Sequence, residues 1–440
     1  LHLLSRRQRQ MCIRDSFEDT SCLEFGKLTL LTGANSTGKS SLMFGMLGVL
    51  QSKKFPLEFS PNGIYVQMGN FMEMVFKHDS TSKIGLSFTL VDSETDEQLK
   101  IESQWMSNQA GNPMISFSEC TGSYYYFKQK VTKDGEILVD VDIDPSKNRQ
   151  RKKFEELLEY ANSHLAPKDS IIEVLKYATE KIHLENLVVS DLSSGNMEKK
   201  YPLFFAMREA TSFIERYNAK VNYISSYRQP AQRIYTEEPV TSGKIATSGE
   251  GFINELLTWK DNSHDKFDEF VEGIKSIGLL SEVEPSRLGS GQFKIGVKVH
   301  EDDELANLSD VGFGISQTMP IIIADVELGK GSTLYVSQPE VHLHPRAQAK
   351  FGDYLVKQML KGKRYVIESH SEYLMNRLRL SVVRGDIQEE DIKVYYMSQG
   401  EGKTTIHTVK FKKNGQIEGA PQDFFDTYMI DVMDIAMSAQ

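Results

Sequence analysis

The sequence has few cysteines, no excess of glycine or proline, and no long apolar run. Three cysteines among 440 residues are too few for the disulfide framework of a small secreted protein, which favours a reducing compartment. The counts of 31 glycines and 13 prolines exclude a collagen-like or low-complexity chain. The longest apolar stretches, such as Met319–Ala324, are far shorter than the ~20 residues of a membrane helix. We therefore expect a globular cytoplasmic protein of two or three domains with no membrane span.

The sequence also lacks an excess of basic residues, since its formal net charge is −10. This balance excludes a uniformly basic nucleic-acid-binding surface but leaves room for a local basic groove. Two interpretations of the densest basic cluster stay open: a surface that binds the DNA backbone, or a solvated loop and helix start, which the acidic chain around it favours. The cluster consists of Lys147, Arg149, Arg151, Lys152 and Lys153.

The first sixteen residues differ in character from the rest of the chain. They are rich in arginine and lack the apolar stretch of a signal peptide. The string RRQRQMCIRDS resembles a translated sequencing-adapter remnant. We therefore predict that residues 1–16 are non-native, that the native chain starts near Phe17, and that the fold should be derived from the remainder.

Hydrophobic periodicity divides the remaining chain into four segments. Residues 17–143 begin with a strand, a Gly-rich turn and a helix, and alternating apolar and polar positions over residues 61–143 then predict an antiparallel β section. Residues 144–300 follow a mainly helical period, and residues 301–395 alternate strands with helices. Residues 396–440 form a small hairpin and tail. The pattern predicts an α/β domain with a parallel sheet, split by a mainly helical insertion.

The most specific motif is GxxxxGK[ST] between the predicted strand KLTLL and the predicted helix SSLMFGMLGVL. Backbone N–H groups of such a loop surround phosphates, aided by the positive end of the following helix. Lys39 would reach the β- and γ-phosphates, and the Ser40 hydroxyl would hold Mg²⁺. The sequence therefore predicts that ATP and Mg²⁺ bind here. The predicted nucleotide-binding residues are Gly33, Ala34, Asn35, Ser36, Thr37, Gly38, Lys39, Ser40 and Ser41.

Three later segments complete a recognisable set. They are LSDVGFGISQ at 308–317, LYVSQPEVHLHP at 334–345 and YVIESHS at 365–371. With the phosphate-binding loop they resemble the ABC-type AAA ATPases of the RecF/SMC/OLD-like group, in particular stand-alone bacterial members with a C-terminal domain of unknown function. The likeness covers most of residues 17–425, with its specific motifs at the two ends. It implies a P-loop ABC-type ATPase head.

The resemblance also implies roles for individual residues. The first of the three segments corresponds to the signature motif, in which Gly314 and Ser316 would contact the γ-phosphate held by another subunit. ATP would then join two chains into a head-to-head homodimer. The second segment corresponds to the Walker B strand, and His370 in the third corresponds to the switch histidine that senses the γ-phosphate. Gln67 would line the site as the glutamine of a Q-loop does.

The Walker B segment departs from the family pattern. That strand normally ends in acidic residues that orient Mg²⁺ and polarise the attacking water, whereas this chain has Ser337 and Gln338. Neither is a carboxylate, although a glutamine can still position a water. The nearest acids are Glu340 and Glu368. Two alternatives stay open: a slow ATPase that uses Gln338, Glu340 or Glu368 with His370, which we favour, or a non-hydrolysing ATP-dependent scaffold that assembles a separate effector.

Two histidine patterns have structural interpretations that we favour. His342 and His344 share a face, but no cysteine or carboxylate partner for a metal site is evident in the sequence. A structural role beside Pro345 explains them better. Ser369 and His370 are adjacent on a strand and point in opposite directions, which excludes a nucleophile–base pair.

The segment Tyr227-Arg228-Gln229-Pro230, followed by Arg233, lies where relatives keep an Arg-Pro-Arg segment close to the nucleotide domain. Arg228 would then contact ATP or the insertion, and a surface loop is an equally open interpretation.

The resemblance implies a biological setting as well. Relatives act in DNA maintenance or in defence against phage, often beside a separate nuclease or other effector protein. The residues after Tyr395 are too few for a nuclease domain, which as an α/β unit needs roughly 100 residues. We therefore expect ATP, Mg²⁺, a second copy of the chain, a separate effector and DNA as the partners to test. A P-loop kinase is disfavoured because the signature and HLHP segments have no place in one.

Overall fold

A computed structural model describes most of the chain, as two compact units. The described residues are 9–14, 23–75, 78–79, 81–92, 95–132, 134–148, 151–164, 181–188, 197–238, 244–400, 403–421 and 424. The first unit comprises residues up to 24 and residues 41–219, and the second comprises residues 25–40 and 220–440. Within the described part of the chain, no helix is both long and apolar enough to cross a membrane.

The described secondary structure alternates between β-rich and mixed segments. The strands are β1 (Arg9–Arg14), β2 (Leu23–Phe25), β3 (Leu28–Gly33), β4 (Ile84–Val91), β5 (Gln98–Ser107), β6 (Pro113–Thr121), β7 (Tyr125–Val131), β8 (Ile137–Ile143), β9 (Ile182–Val188), β10 (Val221–Ile224), β11 (Tyr235–Thr236), β12 (Glu282–Gly289), β13 (Gln292–Lys298), β14 (Ala306–Asn307), β15 (Thr333–Ser337), β16 (Arg364–Glu368), β17 (Ile392–Gly400), β18 (Lys403–Phe411) and β19 (Ile417–Glu418). The helices are α1 (Lys39–Gln51), α2 (Phe71–Met74), α3 (Arg151–His164), α4 (Met197–Ala219), α5 (Phe252–Asn262), α6 (His264–Ile277), α7 (Phe313–Glu327), α8 (Pro345–Leu360) and α9 (Glu372–Arg384).

The first unit is built on an antiparallel sheet in the order β2-β1-β4-β5-β6-β7-β8-β9. Strand β4 alternates buried and half-buried side chains along most of its length, as expected for a strand with one face on a core. This agrees with the antiparallel section predicted from residues 61–143. The sequence interpretation left residues 1–16 out of the fold, whereas the backbone of β1 pairs antiparallel with β4.

The second unit contains the parallel sheet, in the order β10-β15-β16-β3-β17-β18-β19. The first five of these strands are parallel, and β18 and β19 pair antiparallel at the edge. All six residues of β3 are buried, which explains its nearly continuous apolar sequence LTLLTG. Because the carboxyl ends of parallel strands share one edge, the ends of β15, β16 and β3 converge there. The predicted α/β class is confirmed.

The division into two units differs from the predicted segment boundaries. Residues 220–300 fall in the second unit because β10 pairs with β15 and because helices α5 and α6 pack against α7. The segment predicted as a mainly helical insertion also contains strands β9 to β13. Strand β17 runs through the predicted boundary at residue 396 and pairs with β3.

A buried polar network fastens α7 to the parallel sheet. Asp325 of α7 is 1% exposed, and its carboxylate accepts hydrogen bonds from the hydroxyls of Tyr354 at 2.6 Å and Tyr365 at 2.7 Å. The ammonium of Lys363 lies 3.2 Å from the same carboxylate. Each of these three side chains contacts the Asp325 carboxylate, so the network holds α7, α8 and β16 in fixed relative positions.

Candidate nucleotide site

The phosphate-binding loop begins where β3 ends and closes through glycines. Gly33 has φ +132°, and a Cβ there would lie 2.1 Å from the carbonyl oxygen of Met397 on β17. Only glycine fits this combination of backbone conformation and close approach. Gly38, at φ +85°, turns the chain into α1, whose first residue is Lys39. The free N–H groups at the start of α1 thus face the loop, as phosphate binding requires.

Lys39 lies inside the curve of this loop. Its side chain is 4% exposed, and its Nζ donates to the carbonyls of Gly33 at 3.2 Å and Ala34 at 2.5 Å. The Thr37 hydroxyl donates to the same Ala34 carbonyl at 2.9 Å. Burial lowers the pKa of Lys39, and the negative charge of Glu368 opposes that shift. Ala34, Asn35 and Ser36 form the exposed crest of the loop, and Ser41 follows Ser40 in α1.

A carboxylate lies next to the Ser40 hydroxyl, but it comes from a different strand than the resemblance predicts. The Ser40 hydroxyl donates to Oε1 of Glu368 at 2.7 Å. The Ser337 hydroxyl lies 3.1 Å from Oε2 of the same carboxylate. Ser337 and Glu368 are paired residues of the adjacent parallel strands β15 and β16. Of the three acids or amides considered from the sequence, Glu368 is thus the one that contacts Ser40.

These oxygens suit the chemistry of Mg²⁺. Magnesium is usually bound in proteins by one or two carboxylate or hydroxyl oxygens, with phosphates and waters as its other ligands. Ser40 and Ser337 each supply a hydroxyl within hydrogen-bonding distance of the Glu368 carboxylate. Glu368 is 5% exposed, so its charge acts in a poorly solvated site. The residues present therefore fit a magnesium-bound nucleotide.

Gln338 occupies a constrained backbone position directly after β15. Its φ is +48°, a left-handed conformation that is uncommon for residues other than glycine. Its N–H donates to the carbonyl of Glu368 at 2.6 Å, and its own carbonyl accepts from Arg228 at 3.0 Å. The backbone on both sides of the Gln338 side chain is therefore held by specific hydrogen bonds.

The side-chain carboxylate of Glu340 contacts the main chain of His370. Oε1 of Glu340 accepts the N–H of His370 at 2.7 Å. Burial raises the pKa of Glu340, opposed by that hydrogen bond and by the charge of Arg228. Partial burial lowers the pKa of His370, as does the positive charge of Lys39, while Glu368 opposes the shift. Partial burial and the charge of Lys39 thus both favour the neutral form of the His370 imidazole.

The signature segment begins α7 and packs tightly on the loop after Gln338. A Cβ at Gly314 would lie 2.3 Å from the carbonyl oxygen of His342, and the rings of Phe313 and His342 meet edge to face with centroids 4.8 Å apart. The Ser316 hydroxyl donates to the Phe313 carbonyl at 2.9 Å, and the residue is 3% exposed. Ser316 is thus turned into the protein here, and its contact with a partner's γ-phosphate stays a prediction.

Arg228 is buried, although it belongs to a loop in which Tyr227 and Pro230 are exposed. It is 3% exposed, and its guanidinium donates to main-chain carbonyls that include Ser337 at 2.6 Å. Arg233, by contrast, is exposed and pairs with Asp310. No local sequence signal distinguishes these two arginines.

The paired histidines have a structural role, as predicted. Nδ1 of His344 accepts the N–H of Arg346 at 3.3 Å, so this histidine caps the start of α8. Within the residues that the structure describes, no group of three or more His, Cys, Asp or Glu side chains is arranged to hold a metal.

Two predictions concern residues of the first unit. Gln67 is exposed, and its side-chain amide donates to the carbonyl of Gly63 at 2.9 Å, so its Q-loop role stays a prediction. In the basic cluster, the ammonium of Lys147 lies 3.7 Å from the carboxylate of Asp144, and Lys152 is exposed. Arg149 and the side chains of Arg151 and Lys153 lie outside the described residues.

Several solved structures of SMC head domains are similar to this chain. The SMC head domain from Thermotoga maritima is 9% identical, and the match covers 92% of this chain and 99% of that one with a TM-score of 0.42. The Smc head domain with an extended coiled coil bound to the C-terminal domain of ScpA, from Pyrococcus furiosus, is 11% identical, with coverage of 98% and 99% and a TM-score of 0.44.

No protein of curated function matches the chain. The family model described as AAA ATPase domain matches residues 16–375, which include the phosphate-binding loop, the signature segment and the strand that carries Glu368. The chain belongs to the AAA ATPase domain family.

Proposed function

We propose that this protein binds MgATP and hydrolyses it slowly, with Glu368 as the acidic residue of the magnesium site. The observation that carries the proposal is the contact of one buried carboxylate with both the Ser40 and the Ser337 hydroxyls. Ser337 stands where the Walker B acid is expected. The neighbouring strand therefore supplies the negative charge that the Walker B strand lacks.

The other residues of the site have separate tasks in this proposal. Lys39 leaves its carbonyl acceptors and pairs with the β- and γ-phosphates, while the N–H groups of the loop surround them. Gln338 orients the attacking water through its amide, as a glutamine does in several GTPases. Glu340 fixes the main chain of His370, and the neutral His370 ring donates or accepts a hydrogen bond at the γ-phosphate end.

The same arrangement accounts for slow turnover. An amide can hold a water but cannot accept its proton, so Gln338 supplies orientation without general-base catalysis. Glu368, with the Ser40 and Ser337 hydroxyls, would hold Mg²⁺, and the ion would supply the positive charge that offsets the phosphates. Catalysis in this site therefore depends on positioning and electrostatics.

We further propose that ATP joins two chains head to head, with Gly314 and Ser316 of each near the nucleotide of the other. The support is the sequence resemblance, which also suggests cytoplasmic roles in DNA maintenance or anti-phage defence with a separate effector. A second candidate is the non-hydrolysing ATP-dependent scaffold. It is favoured by the absence of a carboxylate at Ser337 and Gln338.

The test is steady-state phosphate release, together with the mass in solution with and without ATP. Lys39→Ala removes the phosphate-binding ammonium, and Lys53→Ala at an exposed position is the matched control. We expect Mg²⁺-dependent release that is lost in Lys39→Ala and kept in Lys53→Ala. Absence of release with an ATP-dependent doubling of mass would support the scaffold. Absence of ATP binding would overturn both candidates.

A further inference from the structure

Arg228 joins two segments of the second unit that are distant in the sequence. Its Nη2 donates to the carbonyls of Ser337, the last residue of β15, at 2.6 Å and of Gln338, the next residue, at 3.0 Å. Its Nη1 lies 3.3 Å from the carbonyl of Gln317 in α7. Its Nε donates to the carbonyl of Ser225 at 2.9 Å, which holds the guanidinium in place. One planar side chain thus contacts both the Walker B end and the signature helix.

The α7 side of this connection is reciprocal. The amide Nε2 of Gln317 lies 3.4 Å from the carbonyl of Arg228 and 3.3 Å from that of Gln229. Gln317 follows Ser316 in the signature segment and is 3% exposed. The Arg228 segment and the start of α7 are therefore held together by hydrogen bonds in both directions.

The charge of Arg228 is buried without a salt bridge. Among the described residues, no carboxylate lies within 4.0 Å of its guanidinium, and main-chain carbonyls satisfy it instead. Burial lowers the pKa of Arg228 to about 10, opposed by the negative charge of Glu340, so the guanidinium stays charged at neutral pH. Burying a charge without an opposite charge beside it is unfavourable. The hydrogen bonds that Arg228 makes to the end of β15 and the start of α7 offset this cost and explain why an arginine is buried here.

We propose that Arg228 is a positioning residue that holds Gln338 in a fixed position relative to α7, the helix that begins in the signature segment. The N–H of Gln338 is held by Glu368 and its carbonyl by Arg228, which together maintain its left-handed backbone. A contact made at the start of α7 therefore affects the position of Gln338, the residue that orients water. A contact made at Gln338 likewise affects the start of α7. The role of Gln338 in this argument rests on the proposed function.

Lysine cannot replace arginine in this role. The guanidinium is a rigid planar fork with five donors, whereas an ammonium is a compact point charge on a flexible stem. Four carbonyls in three directions match the fork. Arg228→Lys therefore keeps the charge and removes the geometry, while Arg228→Met removes the charge and avoids an uncompensated buried cation.

The first experiment compares amide hydrogen exchange in the wild type and in the Arg228 variants, using the full chain without nucleotide. We expect exchange to accelerate at least about tenfold in peptides covering 313–320 and 336–343 in both Arg228 variants, with 33–40 unchanged. Arg384→Lys and Arg384→Met, at an exposed position on α9, are the controls and leave all three peptides unchanged. Wild-type exchange in the Arg228→Lys protein would overturn the proposal.

The second experiment separates ATP binding from turnover. We expect the Arg228 variants to bind a fluorescent ATP analogue within about threefold of wild type, with KM little changed and kcat at least about tenfold lower. Rescue of kcat by lysine, or a parallel loss of ATP affinity, would show a merely structural role and overturn the proposal. If the wild type neither binds nor hydrolyses ATP, the proposed function fails, and the nucleotide-free exchange comparison still decides the role of Arg228.

Discussion

The carboxylate of Glu368 lies 2.7 Å from the hydroxyl of Ser40, although 328 positions separate the two residues in the sequence. Strand β16, which ends at Glu368, pairs directly with β3, which leads into the phosphate-binding loop. The usual acidic position lies one strand further away, on β15, where this chain has Ser337. The carboxylate beside Ser40 therefore comes from β16, and β15 contributes the hydroxyl of Ser337.

Glu368→Gln should abolish most of the activity while leaving the fold intact. Glutamine has nearly the same shape and can still accept the Ser40 hydroxyl, but it carries no charge to neutralise Mg²⁺. We expect Mg²⁺-dependent phosphate release to fall by about 100-fold or more, as for other lost electrostatic contacts in active sites. Phosphate release and the melting temperature measure the two effects. Glu390→Gln, at an exposed position, is the control, and equal activity of the two variants would contradict the assignment.

A carboxylate placed on β15 should restore part of the phosphate release that is lost when Glu368 is replaced. Ser337→Asp alone places two carboxylates about as close as the 3.1 Å contact seen now, so it should lower the melting temperature unless Mg²⁺ is present. In combination with Glu368→Ser, it should raise phosphate release at least about tenfold above Glu368→Ser alone. The matched control is Ser337→Asn with Glu368→Ser, which has the shape without the charge. Equal rates of phosphate release in the two double variants would show that a carboxylate at position 337 cannot replace the one at position 368.

Glu340→Gln should stabilise the protein increasingly as the pH rises. The pKa of Glu340 is raised above its ordinary value of 4.5 in the folded state, so ionisation is less favourable there than in the unfolded chain. Its contribution to stability is complete below that ordinary value and is lost as the pH rises through the folded pKa. Glutamine keeps an acceptor for the N–H of His370 and never ionises.

The measurement is the melting temperature of Glu340→Gln and wild type between pH 5 and pH 8. The advantage of the variant should grow across this range. Glu304→Gln, at an exposed position, should match wild type at each pH. An advantage that shrinks as the pH rises would show that Arg228 and the His370 N–H outweigh the burial of Glu340.

Gly33→Ala should be far more harmful than an alanine at another left-handed glycine. Gly33 combines φ +132° with a carbonyl oxygen 2.1 Å from the new Cβ, whereas Gly385 has φ +78° and open space around it. We expect a loss of about 3 kcal/mol or more for Gly33→Ala and of about 1–2 kcal/mol for Gly385→Ala. Urea denaturation measures both losses. Comparable losses at the two positions would mean that β17 yields to the added methyl group.

The local parts of the site could be predicted from the sequence. The loop from Gly33 to Ser40 has its strand before it and its helix after it, because both follow from residues within a few positions of the motif. The alternating pattern of residues 61–143 likewise produced the antiparallel strands. Such features depend on short-range periodicity and on glycine placement, which the sequence displays directly.

The contacts that complete the site could not be predicted in the same way. The choice of Glu368 over Glu340 depends on which strand lies beside β3, a pairing between residues more than three hundred positions apart. The burial of Arg228 depends on α7 and β15 lying on either side of its segment, and Arg233 a few positions later is exposed. Tertiary packing decides both, and neither has a local signature.

The contact between Gly33 and Met397 has a consequence for how the protein is made. Strand β3 lies between β16 and β17, and both of these neighbours follow it by more than three hundred positions in the sequence. A nascent chain emerging from the ribosome therefore carries the phosphate-binding motif long before the two strands that pair with β3 have been made. The loop can reach the conformation seen here only after β17 has emerged, so the nucleotide site forms late relative to the synthesis of its own motif.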